Sequence, residues 1–154
     1  VADDFSKRKA FVHMTIAYIM SKKDEREEAM AHAEQAIAIS KGDDETLASA
    51  YETRGDTHMN AGHYDAAMKD YDLALRMEPD IGSTRITRAV ALYKLERFNE
   101  AIADMKRSIE LRPAIKEDLL ECIGMIEELK ERKRWREKDM KLPFHYQSHF
   151  KFNL

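Results

Sequence analysis

Apolar side chains recur at three- and four-residue intervals from Asp4 to about residue 138, and beyond Pro143 they recur at every second residue. The first spacing keeps one face of an α-helix apolar, and the second belongs to an extended segment with one apolar face. Helices are predicted over Asp4 to Ser21, Glu25 to Ser40, Asp44 to Asn60, Tyr64 to Met77, Ser83 to Leu95 and Phe98 to Leu111, with a seventh from near Ile115 to about Lys138. In that last helix Leu119, Leu120, Ile123, Met125, Ile126 and Leu129 give an apolar stripe over the first half, and the second half turns polar and basic.

The pattern also repeats on a longer scale. Pro79 and Pro113 stand 34 residues apart, and the segments before them match. Tyr51, Gly55, Gly62, Tyr64, Ala67, Tyr71, Ala74 and Leu75 have Arg85, Ala89, Glu96, Phe98, Ala101, Met105, Ser108 and Ile109 at the same offsets. Small residues at Gly55, Ala67, Ala74, Ala89, Ala101 and Ser108 allow close helix contact, and the bulky Tyr64, Tyr71, Phe98 and Met105 fill the space around them. Gly62 can take the left-handed conformation that ends a helix, and Asp65 can cap or charge-stabilise the next one. Glu96 lacks that freedom, so its turn is expected to carry strain or to use another geometry. Each proline stops a helix.

These residues closely resemble the tetratricopeptide repeat, a 34-residue helix-turn-helix unit. The resemblance implies an all-α, right-handed superhelical solenoid with repeats over about 10–43, 48–81 and 82–115, a capping helix over about 115–138, and an extended aromatic tail over 139–154 beyond a domain of 1–138. The first copy is the weakest. Ala17, Ala29, Ala36 and Ile37 fit, whereas Asp24 and Arg26 replace the turn glycine and the aromatic, and about four extra residues around Lys41 to Glu45 lengthen the next connection. A cap is needed because the last repeat otherwise exposes its apolar face.

The family resemblance further implies that the first helix of each pair lines a concave groove. Read by period, that groove holds Phe11, Met14, Tyr18 and Lys22, then Glu52, Asp56, Met59 and Asn60, then Ile86, Val90, Tyr93 and Lys94. Apolar groups not needed for repeat packing suit a bound side chain, while the bland reading has Met14, Tyr18 and Ile86 touching neighbouring helices. Some family members grip the carboxylate of an acidic chaperone tail with lysine, asparagine and arginine on these helices. The corresponding positions here are Met14, Tyr18, Thr53, Ser83 and Thr87, which cannot form that clamp.

In the tail, Phe144, Tyr146, Phe150, Phe152 and Leu154 alternate with polar residues, an apolar face expected to dock on the capping helix or in a groove of this or a second copy. Leu129 to Lys141 gathers seven Lys or Arg and Trp135, which fits either a solvated helix end or contact with phosphates. The chain as a whole carries a formal charge of −3, so nucleic acid and membrane are disfavoured partners. Cys122 is the only cysteine, which excludes an internal disulfide and a cysteine-based zinc site; its apolar helix position suits an inert core thiol. His145 and His149 lack a third ligand, and His58 and His63 read as polar turn residues, so no metal or other cofactor is expected. No stretch is long and apolar enough to span a bilayer, and Val1 is not a native start, which leaves room for a removed leader. One thiol is compatible with a reducing compartment without proving one; the cytoplasm is favoured, and a removed leader would allow the periplasm or another compartment. No phosphate-binding loop or nucleophile elbow is present, and catalysis has no support. The expected function is a scaffold or adaptor holding a partner's peptide or helix. The alternatives are a self-assembling unit that oligomerises through its tail, and contact with nucleic acid or anionic membrane through the basic capping helix.

Overall fold

The computed structural model describes residues 3–137. Seven α-helices and one short 3₁₀ turn follow one another, and no strand occurs among the described residues. They are α1 (Asp4–Lys22), α2 (Arg26–Ile39), α3 (Asp44–Asn60), α4 (Tyr64–Met77), α5 (Gly82–Lys94), α6 (Phe98–Leu111) and α7 (Lys116–Glu137). The expected boundaries agree to within about a residue, because the local signals are strong. Asp3 and Asp43 cap α1 and α3 by accepting from the amides of Ser6 and Thr46 at 2.8 and 3.0 Å. Pro113 opens the 3₁₀ turn Pro113–Ile115 that separates α6 from α7. Asp65 stands in the first turn of α4, where its charge meets the positive helix end, but it makes no capping bond.

Three hairpin turns share one geometry. Asp24, Gly62 and Glu96 all take left-handed backbone, with φ of 65°, 78° and 59°. In each, the next residue's amide reaches back to the carbonyl five positions earlier: Glu25 to Met20 at 3.0 Å, His63 to His58 at 2.9 Å, and Arg97 to Leu92 at 2.8 Å. That is the bond pattern of a left-handed helix stop. Of the two outcomes expected for Glu96, the structure shows the strained one. The left-handed conformation costs a residue with a Cβ about 1 kcal/mol, and the two helices beyond the turn hold it in place.

The helices stack as pairs. α1 packs on α2, α3 on α4 and α5 on α6, while α1 also meets α3, α3 meets α5, and α2 and α4 each meet the first helix of the following pair. Small residues permit this closeness: Ala17, Ala29, Ala36, Ala67, Ala74, Ala89, Ala101 and Ser108 are all fully buried. Gly55 is the tightest point, since a Cβ there would lie 2.7 Å from Cε1 of the fully buried Tyr71. The core continues into α7 through Leu119, Ile123 and Ile126. Here the expected stripe needs correction: Leu120 and Met125 are exposed, because the buried line follows a four- then three-residue step and those two lie off it. The architecture is an all-α helical solenoid.

An ion-pair ladder runs between the helix layers with the same period as the small residues. Arg54 on α3 grips Asp70 on α4 through Nε and Nη2 at 2.9 and 2.7 Å. Thirty-four residues on, Arg88 on α5 grips Asp104 on α6 at 2.7 Å through both nitrogens, and its remaining nitrogen reaches Asp72 on α4 at 2.7 Å. Asp70 and Asp104 are buried, so bidentate pairing is what makes their charge tolerable.

Candidate functional site

α1 meets α3 and α3 meets α5, and these three helices carry the residues named above as groove candidates. Between them a cavity of about 220 Å³ stays open, lined by Tyr18, Lys22, Asp56, Met59, Asn60 and Val90, with Tyr71 and Thr87 completing it. Six of the twelve expected groove residues therefore converge on one space. Tyr18 and Val90 are 56% and 38% exposed, so their apolar surface is left over after repeat packing. Lys22 lies over the Tyr18 ring, 5.4 Å from its centroid, and Asn60 donates to Ser21 Oγ at 2.7 Å, which ties the ends of α3 and α1 together.

Two charged groups line this space, Lys22 from α1 and Asp56 from α3. Asp56 accepts a 2.7 Å hydrogen bond from the Tyr71 hydroxyl, yet burial still pushes its carboxyl above the usual range, against the pull of Lys22. Glu52, one turn earlier, is raised as well, first by burial and then by the nearby Asp56. The Tyr71 hydroxyl is itself pushed far up by burial and by the Asp56 charge, so it donates throughout the ordinary pH range. Asp56 thus lines the space as a half-buried carboxylate that accepts from a neutral hydroxyl, with Glu52 one turn away outside the lining.

The other six residues separate. Phe11 and Met14 border a different cavity of about 550 Å³ at the start of α1 and α3, with Lys7 and Glu45 at its edge. Ile86 packs against the buried core, which answers to the bland reading for that residue. Tyr93 and Lys94 turn towards α7: the Tyr93 ring lies against Phe98, with centroids 6.0 Å apart, and Lys94 lies 6.0 Å from the Tyr93 centroid. Glu52 does not line the central space.

Elsewhere, Cys122 is half-buried against the core. His58 is pushed below the usual imidazole range by burial, with Asp70 opposing at 3.9 Å. His13 and His32, which sequence reasoning had not singled out, meet across α1 and α2 with their Nδ1 atoms 2.8 Å apart. No group of three or more metal-ligating side chains occurs among the described residues, and no helix there is long and apolar enough to cross a membrane. The tail with Phe144, Tyr146, Phe150, Phe152 and Leu154, the His145 and His149 pair and the side chain of Trp135 lie outside the described residues.

Comparison with known proteins bears on the fold. Family profiles described as tetratricopeptide repeat match residues 48–81 and 83–115. No curated protein matches the chain. Among solved structures, the first repeat domain of Spaghetti (RPAP3), bound to the HSP90 peptide SRMEEVD, is 18% identical, with 81% of this chain and 95% of that one covered at a TM-score of 0.70. The first such domain of human RPAP3 is also 18% identical, with 83% and 97% covered and a TM-score of 0.73. The translocator chaperone SycD of Yersinia enterocolitica type III secretion is 19% identical, with 79% and 83% covered and a TM-score of 0.63. Identities this low speak for the fold, whereas the two matched repeats carry the residues of the family itself. With the 34-residue period, the three hairpin turns and the stacked pairs, they place the chain among the tetratricopeptide-repeat proteins.

Proposed function

We propose that the chain is a binding scaffold whose concave face holds a peptide or short helix of a partner protein, with units over about 10–43, 48–81 and 82–115 closed by the capping helix. The central cavity carries this reading. A stack that needed only to bury itself would have no use for Tyr18 and Val90 exposed around a 220 Å³ hollow. Polypeptide ligands of similar folds support it too, since the Spaghetti domain is described with a bound peptide and SycD is a chaperone. The role is binding, not chemistry.

The ligand differs from an acidic chaperone tail. Met14, Tyr18, Thr53, Ser83 and Thr87 offer no clamp for a terminal carboxylate, and Glu52 and Asp56 would repel one. Their half-buried carboxyls, in which burial disfavours the charge, favour a ligand that brings a Lys or Arg among apolar residues, because an entering cation offsets that cost. Fluorescent peptides carrying one arginine between leucines test the reading. Tyr18→Ala removes an aromatic anchor and Asp56→Lys reverses the wall's charge, and each is expected to weaken binding by about tenfold or more. Wild-type affinity in both variants refutes the groove.

One observation favours self-assembly as a second reading. Phe5, Val12 and Ile19, seven residues apart on α1, form an exposed apolar line at the first end of the stack. Sedimentation across a range of concentrations decides it: a mass that stays monomeric, or one unmoved by Val12→Glu, removes this reading.

A further inference from the structure

The outer face of α1 repeats a face that α3 and α5 bury. The left-handed turn residues Asp24, Gly62 and Glu96 set the register of the three units. On α3, Ala48 and Gly55 are buried, and the Cβ direction of Gly55 points at Tyr71 on α4. Ala50 and Thr57 lie two residues further on, about 200° round the helix, and are buried too. The preceding pair, α1 and α2, is what packs on α3 away from α4. Thr84 and Ala91 repeat this arrangement on α5, again buried. The counterparts on α1 are Val12 and Ile19, two residues beyond the buried Ala10 and Ala17. They stand open, 54% and 45% exposed, and Phe5, seven residues before Val12, extends the line. Among the described residues eight large apolar side chains are exposed, and five of them, Phe11 and Tyr18 included, belong to α1, so the excess is local to this helix.

We propose that this face seats a second copy of the chain, with α1 packed antiparallel on α1 about a two-fold axis at Val12. The proposal rests on the self-assembly reading above and gives it a partner surface and a direction. The spacing is self-complementary. Phe5 and Ile19 each stand seven residues from Val12, so the axis sets Val12 against Val12 of the second copy and Phe5 against its Ile19. A strict seven-residue line wraps a helix pair left-handedly, at about 20°. Charge fixes the direction. Arg8, Lys9, Lys22 and Lys23 lie three or four residues from the line and flank it. Parallel packing would set each of them beside its own counterpart, like charge on like. Antiparallel packing places Arg8 and Lys9 opposite Ile16 and Thr15 of the second copy. It also brings the Asp3 and Asp4 end of α1 towards the Lys22 and Lys23 end of the other, with the helix dipoles opposed. Such a contact closes at two copies. Seating α1 on α7, where Leu120 and Met125 are exposed, would be head-to-tail and would run on into larger species.

The test uses the full chain. Sedimentation equilibrium across a wide concentration range, under reducing conditions, is expected to show monomer and dimer and nothing larger. Val12→Glu sets two carboxylates face to face at the axis and is expected to weaken the dimer by about tenfold or more, whereas Val12→Leu keeps it. Val12 is exposed in the single copy, so both variants fold, which circular dichroism checks. Direction is read by disulfide trapping in a Cys122→Ala background, where no native thiol remains. Val12→Cys is expected to link to itself, and a mixture of Phe5→Cys and Ile19→Cys to link to each other in preference to themselves. Self-linking of Phe5→Cys and of Ile19→Cys without linking in the mixture means parallel packing; it overturns the proposal and leaves the self-assembly reading standing. Species larger than two copies, or a dimer dispersed by Leu120→Glu with Met125→Glu and not by Val12→Glu, assign the contact to α7 and overturn it as well. So does dispersal by Phe150→Ser with Phe152→Ser alone, which makes the tail the occupant. A chain that stays monomeric at every concentration removes the self-assembly reading and the proposal together.

Discussion

Gly55 and Gly124 both stand inside helices, and replacing each by alanine is expected to move stability in opposite directions. Alanine in a helix interior gains about 1 kcal/mol over glycine from restricted backbone freedom. At Gly124 nothing lies within 4 Å of the added methyl, so that gain appears whole. At Gly55 the methyl would sit 2.7, 2.9 and 3.2 Å from Cε1, Cδ1 and Cζ of Tyr71. That ring is fully buried and tied by its hydroxyl to Asp56 at 2.7 Å, so making room means pushing it towards the central cavity and straining that bond. Overpacking a filled core costs about 1–3 kcal/mol, and three simultaneous contacts put this case in the upper half of that range. After the helix gain is subtracted, Gly55→Ala should lose about 1–2 kcal/mol. At about 2–4 °C per kcal/mol for a chain of this size, the melting temperature falls by roughly 4 °C for Gly55→Ala and rises by roughly 3 °C for Gly124→Ala. Thermal denaturation followed by circular dichroism at 222 nm reads both. A Gly55→Ala variant as stable as the wild type would refute the claim that α3 and α4 are in contact through a glycine-sized gap.

The ion-pair ladder gives a second test. Arg88→Met leaves Asp104 buried with Arg85 at 3.5 Å as its remaining cation, and is expected to cost about 3 kcal/mol by urea denaturation, most of it recovered when Asp104→Leu is added. Loss below about 0.5 kcal/mol in the single variant would show the pair to be dispensable. Asp43 joins α1 to α3, since it accepts from the Thr46 amide and meets Lys7 at 2.5 Å; the Lys7 bond, then that of Thr46, holds its carboxyl down at about 2. A depressed folded value means that the contribution is present above the unfolded pKa near 3.8 and is lost as pH falls through 2. The melting-temperature gap between wild type and Asp43→Ala should therefore be open at pH 7 and close between pH 4 and pH 2, and a gap independent of pH would contradict the pairing.

Short-range information made the helices and turns legible. Capping aspartates, prolines and the 34-residue recurrence of small residues act within one or two turns of helix, and a solenoid asks little more, because each unit touches chiefly its neighbours. Gly62 announced its left-handed turn by residue type, whereas the turn at Glu96 was legible from the repeat offset alone. Glu96 adopts the same left-handed backbone because helices already fixed on both sides leave the chain no other path. The Arg54–Asp70 and Arg88–Asp104 pairs were also within reach, since both partners recur at the repeat period. They passed unnoticed because charged residues default to the solvent in a sequence reading.

The sequence by itself determined the period and the helix bounds, and it named candidate inner-face side chains on α1, α3 and α5. Which of those side chains stays open was decided by tertiary structure. Ile86 and Val90 are one helical turn apart with the same chemistry, yet Ile86 joins the core and Val90 borders the central cavity. Tyr93 and Lys94, expected in the same groove, turn to Phe98 and α7 and make a separate cleft. Periodicity fixes the direction in which a side chain leaves its own helix. Its burial depends on how closely the neighbouring helices approach, and that distance is set by residues such as Gly55 and Tyr71 on the far side of the contact.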